Sequence, residues 1–258
     1  MKIIRKFTAI GLASLVVAAS ATTTPTTTTS FTPEQTQEIN QQIQNFLTSN
    51  PKAVVDALVS YRQQEVKRME TQAETKITTN ANDILNGNSN SPVMGNPNGS
   101  TVLVEFLDYQ CGHCKQMTNT IATLIKENSD LKVIVKELPI LGENSNYAAK
   151  VALAANQQGK FMEVHTALMN EKAKLTPEKV TEIAKNAGVD WTEAETFIAS
   201  KALETQIDSV FTLAQTLNIM GTPAFIISNK DGTKNKFFGG AATQEAMQQT
   251  INTIAKNS

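Results

Sequence analysis

The chain has two cysteines and two histidines in 258 residues, and that scarcity excludes several kinds of protein. A small secreted domain that relies on disulfides in place of a core needs several of them. Here the one possible bridge, Cys111 to Cys114, closes a loop with two intervening residues. So short a loop removes little entropy from the unfolded chain, and the pair is a poor staple. A structural zinc site takes about four ligands. Beyond the two thiols only His113 and His165 remain as soft ligands, which leaves a metal carrier as a minor alternative. There is no Gly-rich phosphate loop, no Ser-His-Asp constellation and no internal repeat. Charge is also lacking. With 23 basic and 24 acidic side chains, nothing invites nucleic acid or an anionic membrane surface as partner.

What is present begins with an address. "MKIIRKF" carries Lys2, Arg5 and Lys6, and the uncharged run "TAIGLASLVVAAS" follows. That run falls short of the roughly 20 apolar residues that span a bilayer. It reaches the small-x-small site Ala19-Ser20-Ala21, so residues 1–21 are expected to be a secretory signal peptide. Its removal leaves 20 basic against 24 acidic side chains. The mature chain is then a soluble, exported protein of the periplasm, a compartment that permits disulfides. "TTTPTTTTS" (22–30) is a biased leader.

The remaining organisation follows from periodicity. Ile39, Ile43, Phe46 and Leu47 recur on one helical face, with Thr32 as N-cap and Pro33 at the first helical position. Asn50-Pro51 ends or bends that helix, and a second carries Val54, Val55, Leu58 and Val59. Residues 31–85 are thus a helical segment. The Asn/Gly/Ser/Pro-rich stretch 86–99 is expected to be a linker to a main domain at 100–258. In that domain "STVLVEFLDY" and "LKVIVKEL" read as buried strands, with a helix after Cys114 between them. Residues of about 144–218 hold several helical segments and no convincing strand. "TPAFIISN" and "NKFFGG" form a hairpin around Lys230-Asp231-Gly232, and a last helix closes the chain. Asp108 and Tyr109 are expected in a loop or at its rim, His165 on a helix surface or in packing, and Trp191 packed within the helical region.

A strand that feeds Cys-x-x-Cys straight into a helix activates a thiol. The first cysteine meets unpaired backbone N–H groups and the positive end of the helix dipole, which favour its thiolate. The second lies one turn along, close enough to attack a mixed disulfide. Cys111 is therefore the expected exposed nucleophile and Cys114 its protected partner. Counting by two along the strand puts Leu103, Glu105 and Leu107 on one face.

Strand, Cys-x-x-Cys, helix, strand, helical insertion, then Thr-Pro opening a hairpin resembles the thioredoxin superfamily. The insertion and His113 resemble the DsbA family of exported thiol-disulfide oxidoreductases over residues 100–256. The resemblance implies an α/β thioredoxin-like fold with an inserted helical subdomain, preceded here by the N-terminal helical segment. It implies that His113 stabilises the Cys111 thiolate, and that Pro223 is cis and packs against the thiols. Thr222 would offer backbone groups to a bound peptide, and Glu105 would relay the proton of Cys114. The dipeptide Gly112-His113 departs from the Pro-His of the best-known bacterial oxidant and matches that of protein disulfide isomerases. No organic cofactor or metal is expected. The expected partners are unfolded or partly folded exported proteins and a membrane redox protein that resets the disulfide. The layout of an N-terminal helical extension further resembles dimeric disulfide isomerases, so a homodimer with isomerase as well as oxidase capacity is expected. A chaperone or binding module with an incidental disulfide is the alternative from another class.

Overall fold

The computed structural model describes residues 31–85 and 90–256. The expected signal peptide, the Thr-rich leader and part of the expected linker lie outside them. Helix α1 (Pro33–Ser49) starts as its sequence predicts. The Thr32 hydroxyl accepts from Gln35 N–H at 3.2 Å, and the Gln35 side chain accepts from Thr32 N–H at 3.0 Å. This reciprocal box satisfies two of the backbone donors that a helix start leaves free. Asn50 ends α1, and α2 (Pro51–Thr79) begins at the next residue.

The chain divides into two compact units, with the boundary after Leu58, inside α2. In the first unit α1 buries none of its residues. Ile39, Ile43, Phe46, Leu47, Val54, Val55 and Leu58 are all exposed.

The second unit is built on a five-stranded sheet of order β1-β3-β2-β4-β5. Its central strand β2 (Thr101–Leu107) runs parallel to β3 (Leu131–Glu137) and antiparallel to β4 (Ala224–Asn229). Alternation sorts the side chains onto two faces. Leu103, Leu107, Val133, Val135, Phe225 and Ile227 face α4 (Gly112–Glu127) and α10 (Gln244–Ala255). Val102, Val104, Phe106, Ile134, Ala224 and Ile226 face the other way.

Two expectations about boundaries are corrected here. Within 86–99, Val93–Gly95 forms the edge strand β1, antiparallel to β3, with Met94 buried. The second half of α2 and the short α3 (Ala81–Leu85) also belong to the second unit, because Ile77, Ile84 and Leu85 complete the core on the second face. Lys236 of β5 (Asn235–Phe238) adds ion pairs to Glu70 and Glu74 of α2, at 2.9 and 3.0 Å. The helices run to Leu85, as expected of the N-terminal segment, but from Val59 onward they belong to the second unit.

Between β3 and β4 lie the helices α5 (Glu143–Gln157), α6 (Phe161–Asn170), α7 (Pro177–Asn186), α8 (Trp191–Ile198) and α9 (Lys201–Leu217). Of these, α5, α6 and α7 extend the core on the α4 face, whereas α9 packs Val210, Ala214 and Leu217 on the opposite face. The insertion thus also supplies one layer of the domain. Trp191 is partly buried against the core, with the Lys185 ammonium 5.4 Å from its ring centre. The β4–β5 hairpin turns at Gly232, whose φ of +76° favours glycine. A Cβ there would stand 2.2 Å from the Ala81 Cβ, so the turn is also where α3 presses closest.

Candidate active site

Strand β2 ends at Leu107, and residues 108–110 turn the chain into α4, for which Cys111 is the N-cap. Its backbone N–H donates to the Asp108 carbonyl at 3.0 Å. Its sulfur takes the place usually held by a capping oxygen, accepting from Cys114 N–H at 3.3 Å. On its other side the Cys111 thiol donates to the Thr222 carbonyl at 3.2 Å. The Thr222–Pro223 peptide is cis. The segment expected near the thiols is therefore in contact with them.

Cys111 was expected to be exposed. It is the more accessible of the two but keeps only 7% of its surface, against none for Cys114. The helix start and the Thr222 carbonyl both contact the Cys111 sulfur. Burial pushes the Cys114 thiol well up, and the neighbouring Cys111 sulfur acts in the same direction. A thiolate left at Cys114 would therefore demand a proton.

Glu105 lies buried on the face of Leu103 and Leu107, as the alternation predicts, and that face packs on α4. Burial pushes its carboxyl up to about 8. His113 is exposed in the first turn of α4, with Nδ1 3.2 Å from Gln116 Oε1. Its ring pairs with Gln116 rather than with Cys111. Gly112 stands open, and a Cβ there would meet nothing within 4 Å.

Asp108 and Tyr109 lie in the loop, as expected, but both are buried rather than at its rim. One Asp108 oxygen accepts from Gln110 N–H at 2.8 Å and from the Ser145 hydroxyl at 2.7 Å; the other accepts from Leu141 N–H at 2.9 Å. These bonds tie the turn before Cys111 to the start of the insertion. Tyr109 Oη is hydrogen-bonded to Glu137 Oε1 at 2.9 Å and to His165 Nδ1 at 3.1 Å. His165 stacks on Phe161, with ring centres 5.1 Å apart, and burial lowers it to about 4. Burial holds Glu137 well above the usual carboxylate range, with Asp108 and Glu105 adding to the effect. Glu137 escaped the sequence reading. Its signal was the period-two run Leu131, Val133, Val135, Glu137, which sets an acid on the core face of a buried strand.

The sequence matches the DSBA-like thioredoxin domain over residues 102–252. It is 24% identical over 140 residues to the Na(+)/H(+) antiporter NhaA 3 of Salinispora tropica, covering 54% of this chain and 22% of that protein. The chain thus spans only about a fifth of the length of that relative. It is 27% identical over 148 residues to the thiol:disulfide interchange protein DsbA of Bordetella pertussis, covering 55% of this chain and 70% of that one. Among solved structures, the thiol-disulfide exchange protein alpha-DsbA2 from Wolbachia pipientis is similar at 32% identity. That match has a TM-score of 0.63 and covers 70% of this chain and 95% of the other.

Proposed function

The chain belongs to the DSBA-like thioredoxin domain family, whose members include thiol-disulfide oxidoreductases, and on that premise we propose that Cys111 and Cys114 are its redox pair. The substrates are unfolded or partly folded exported proteins. The observation that carries this reading is Cys111 at the N-cap of α4, its sulfur on the Cys114 N–H, with Cys114 buried behind it. Such a position favours a thiolate at Cys111.

In the oxidising direction a client thiolate attacks the Cys111 sulfur of the disulfide. A client–Cys111 disulfide forms, and Cys114 leaves as a thiolate in a site that disfavours charge. Glu105, neutral below about pH 8, is the acid that returns a proton to it. A second client thiolate then attacks the client sulfur, and Cys111 departs as thiolate. Two electrons have passed from the client dithiol to the pair. A membrane redox partner removes them. In the isomerising direction the Cys111 thiolate attacks a client disulfide and is later displaced by another client thiolate.

His113, in the first turn of α4, is the side chain that stabilises the Cys111 thiolate, and such stabilisation makes the disulfide a stronger oxidant. Thr222 presents backbone to the client chain. Pro223, which has no N–H, leaves no donor there. The pair itself is the reactive group, and the scheme uses no organic cofactor or metal. Export to the periplasm rests on the features of residues 1–21. The uncovered apolar side chains between Ile39 and Leu58 support a homodimer, because some 50 residues seldom make a core alone.

The test is Cys111→Ser with Cys114 intact, assayed for oxidation of a reduced client. The expected result is loss of turnover; retained turnover would remove the assignment. Suppression of client aggregation that survives this change, without redox turnover in the parent protein, would favour a binding module. Stoichiometric metal in the reduced protein would favour a carrier. For the dimer, solution mass is measured for the mature chain and for a form starting at Val59. A cut near Gly95 is unsuitable because it deletes Ile77, Ile84 and Leu85 from the core. A mature chain with the mass of one copy would end the dimer.

A further inference from the structure

We propose that Tyr109 is a positioning residue for Cys111, held between Glu137 of the sheet and His165 of the helical insertion, so that the insertion governs the geometry at the reactive thiol. The proposal rests on Cys111 being the nucleophile. It concerns what holds that nucleophile in place.

Tyr109 lies two residues before Cys111 and has no exposed surface. Its Oη joins three elements at one point: the turn it stands in, the end of β3 through Glu137 Oε1 at 2.9 Å, and α6 through His165 Nδ1 at 3.1 Å. The His165 ring also meets the Tyr109 ring edge-on, with centres 5.7 Å apart, and is backed by Phe161. Two more ties run from the same segment to the insertion. Asp108 accepts from the Ser145 hydroxyl, and the Lys115 ammonium donates to the Glu171 carbonyl. Residues 108–115 are therefore fixed from the insertion side at three points spaced around the Cys111 N-cap.

The titratable groups facing Tyr109 are Glu137 and Glu105 from the sheet and His165 from α6, while Glu137 also faces Asp108. Glu137 has one buried oxygen, Oε2, without a partner. A carboxylate in that place would leave charge unanswered in a buried site. A neutral Glu137 avoids this. Its Oε1 accepts from Tyr109 Oη, which in turn accepts from Nδ1–H of a neutral His165. Burial favours the uncharged form of both end groups. A chain of three neutral groups orients the turn without leaving an unpaired charge in the buried site. Glu137 then works through Tyr109 by hydrogen bonding, not by its charge.

The experiment measures the rate of iodoacetamide labelling of Cys111 against pH in the reduced full chain, beside its redox equilibrium with glutathione. Tyr109→Phe keeps the ring and loses the hydroxyl; labelling below pH 7 should slow about threefold, the scale of one misaligned hydrogen bond. Glu137→Gln preserves the hydrogen bond and should leave the profile in place. His165→Leu should slow labelling, and His165→Asn, whose amide takes the place of Nδ1, should restore it. An unaltered profile in folded Tyr109→Phe overturns the proposal. So does faster labelling in Glu137→Gln, because Glu137 would then be acting by charge. If Tyr109→Phe does not fold, the two His165 variants decide, and equal profiles for Leu and Asn overturn it. Absence of a Cys111–Cys114 couple in the parent protein would instead defeat the functional reading and leave the labelling comparison standing.

Discussion

The two faces of the central sheet come from the same strands and do different work. Toward α4, β2 and β3 present Leu103, Glu105 and Leu107 with Val133, Val135 and Glu137, so two carboxyls are buried among apolar side chains. Away from α4 they present Val102, Val104, Phe106 and Ile134 against α3 and α9. A buried ionisable group on that side is Lys136, with Nζ 3.2 Å from the Ser91 hydroxyl. Burial pushes Glu105 up to about 8 and Lys136 down to about 8. One face spends stability to bury two carboxyl groups. The other supplies aliphatic and aromatic packing.

The largest test of this contrast is Phe106→Ala. Phe106 is fully buried on the second face, and truncation of such a ring costs about 3–5 kcal/mol. Denaturant unfolding should show that loss, while Cys111 labelling in the folded fraction stays as in the parent. A changed labelling profile would mean that the faces are not independent.

Glu105→Gln should act in the opposite direction. The folded protein holds the Glu105 proton up to about pH 8, whereas the unfolded chain releases it near 4.5. Between those values the folded state binds more protons, so stability falls as pH rises, and the loss is complete above pH 8. Glutamine removes the loss. The variant should gain on the order of 2 kcal/mol at pH 8.5 and nothing below pH 4, and it should slow the step that protonates Cys114 by at least about tenfold. Equal stability of the two proteins at pH 8.5 would show that Glu105 is not the buried acid.

Lys136→Met gives the smallest effect and the sharpest sign. The folded protein loses the Lys136 proton near pH 8, and the unfolded chain keeps it to 10.5. Stability from this group therefore rises with pH between 8 and 10.5. Methionine should gain about 1 kcal/mol at pH 7, an advantage that disappears by pH 10.5, with thiol turnover unchanged. Together the two groups give the parent protein a stability minimum near pH 8, and each variant should abolish one side of it.

Much of the site was legible because chemistry confines those residues to a few arrangements. Cys111 and Cys114 stand between a β-branched run and a helical pattern, and that order puts the first sulfur at a helix start. The alternation of β2 put Glu105 on the face of Leu103 and Leu107 before any contact was known. The loop position of Asp108 and Tyr109 was legible, but their burial was not, because polar residues next to a turn are usually solvated. Their burial depends on Ser145, Leu141, Glu137 and His165, which stand 28 to 56 residues away. β1 was missed for a similar reason. Three residues, Val93–Gly95, in an Asn/Gly/Ser/Pro setting have no period to read, and they are strand because β3 has a free edge there.

The sequence by itself determined the parts that local rules govern. These are the Thr32 cap and the break at Asn50-Pro51, the strand–Cys-x-x-Cys–helix unit, the run of helices before Thr222-Pro223, and the hairpin at Gly232. Each follows from periodicity or backbone preference within a few residues, or from a resemblance those residues carry. Only the tertiary structure decided that the second unit begins inside α2, that the Cys111 sulfur contacts the Thr222 carbonyl, and that Tyr109, Glu137 and His165 meet. Such meetings depend on which surfaces the sheet brings together, and burial then sets the protonation of whatever lies between them.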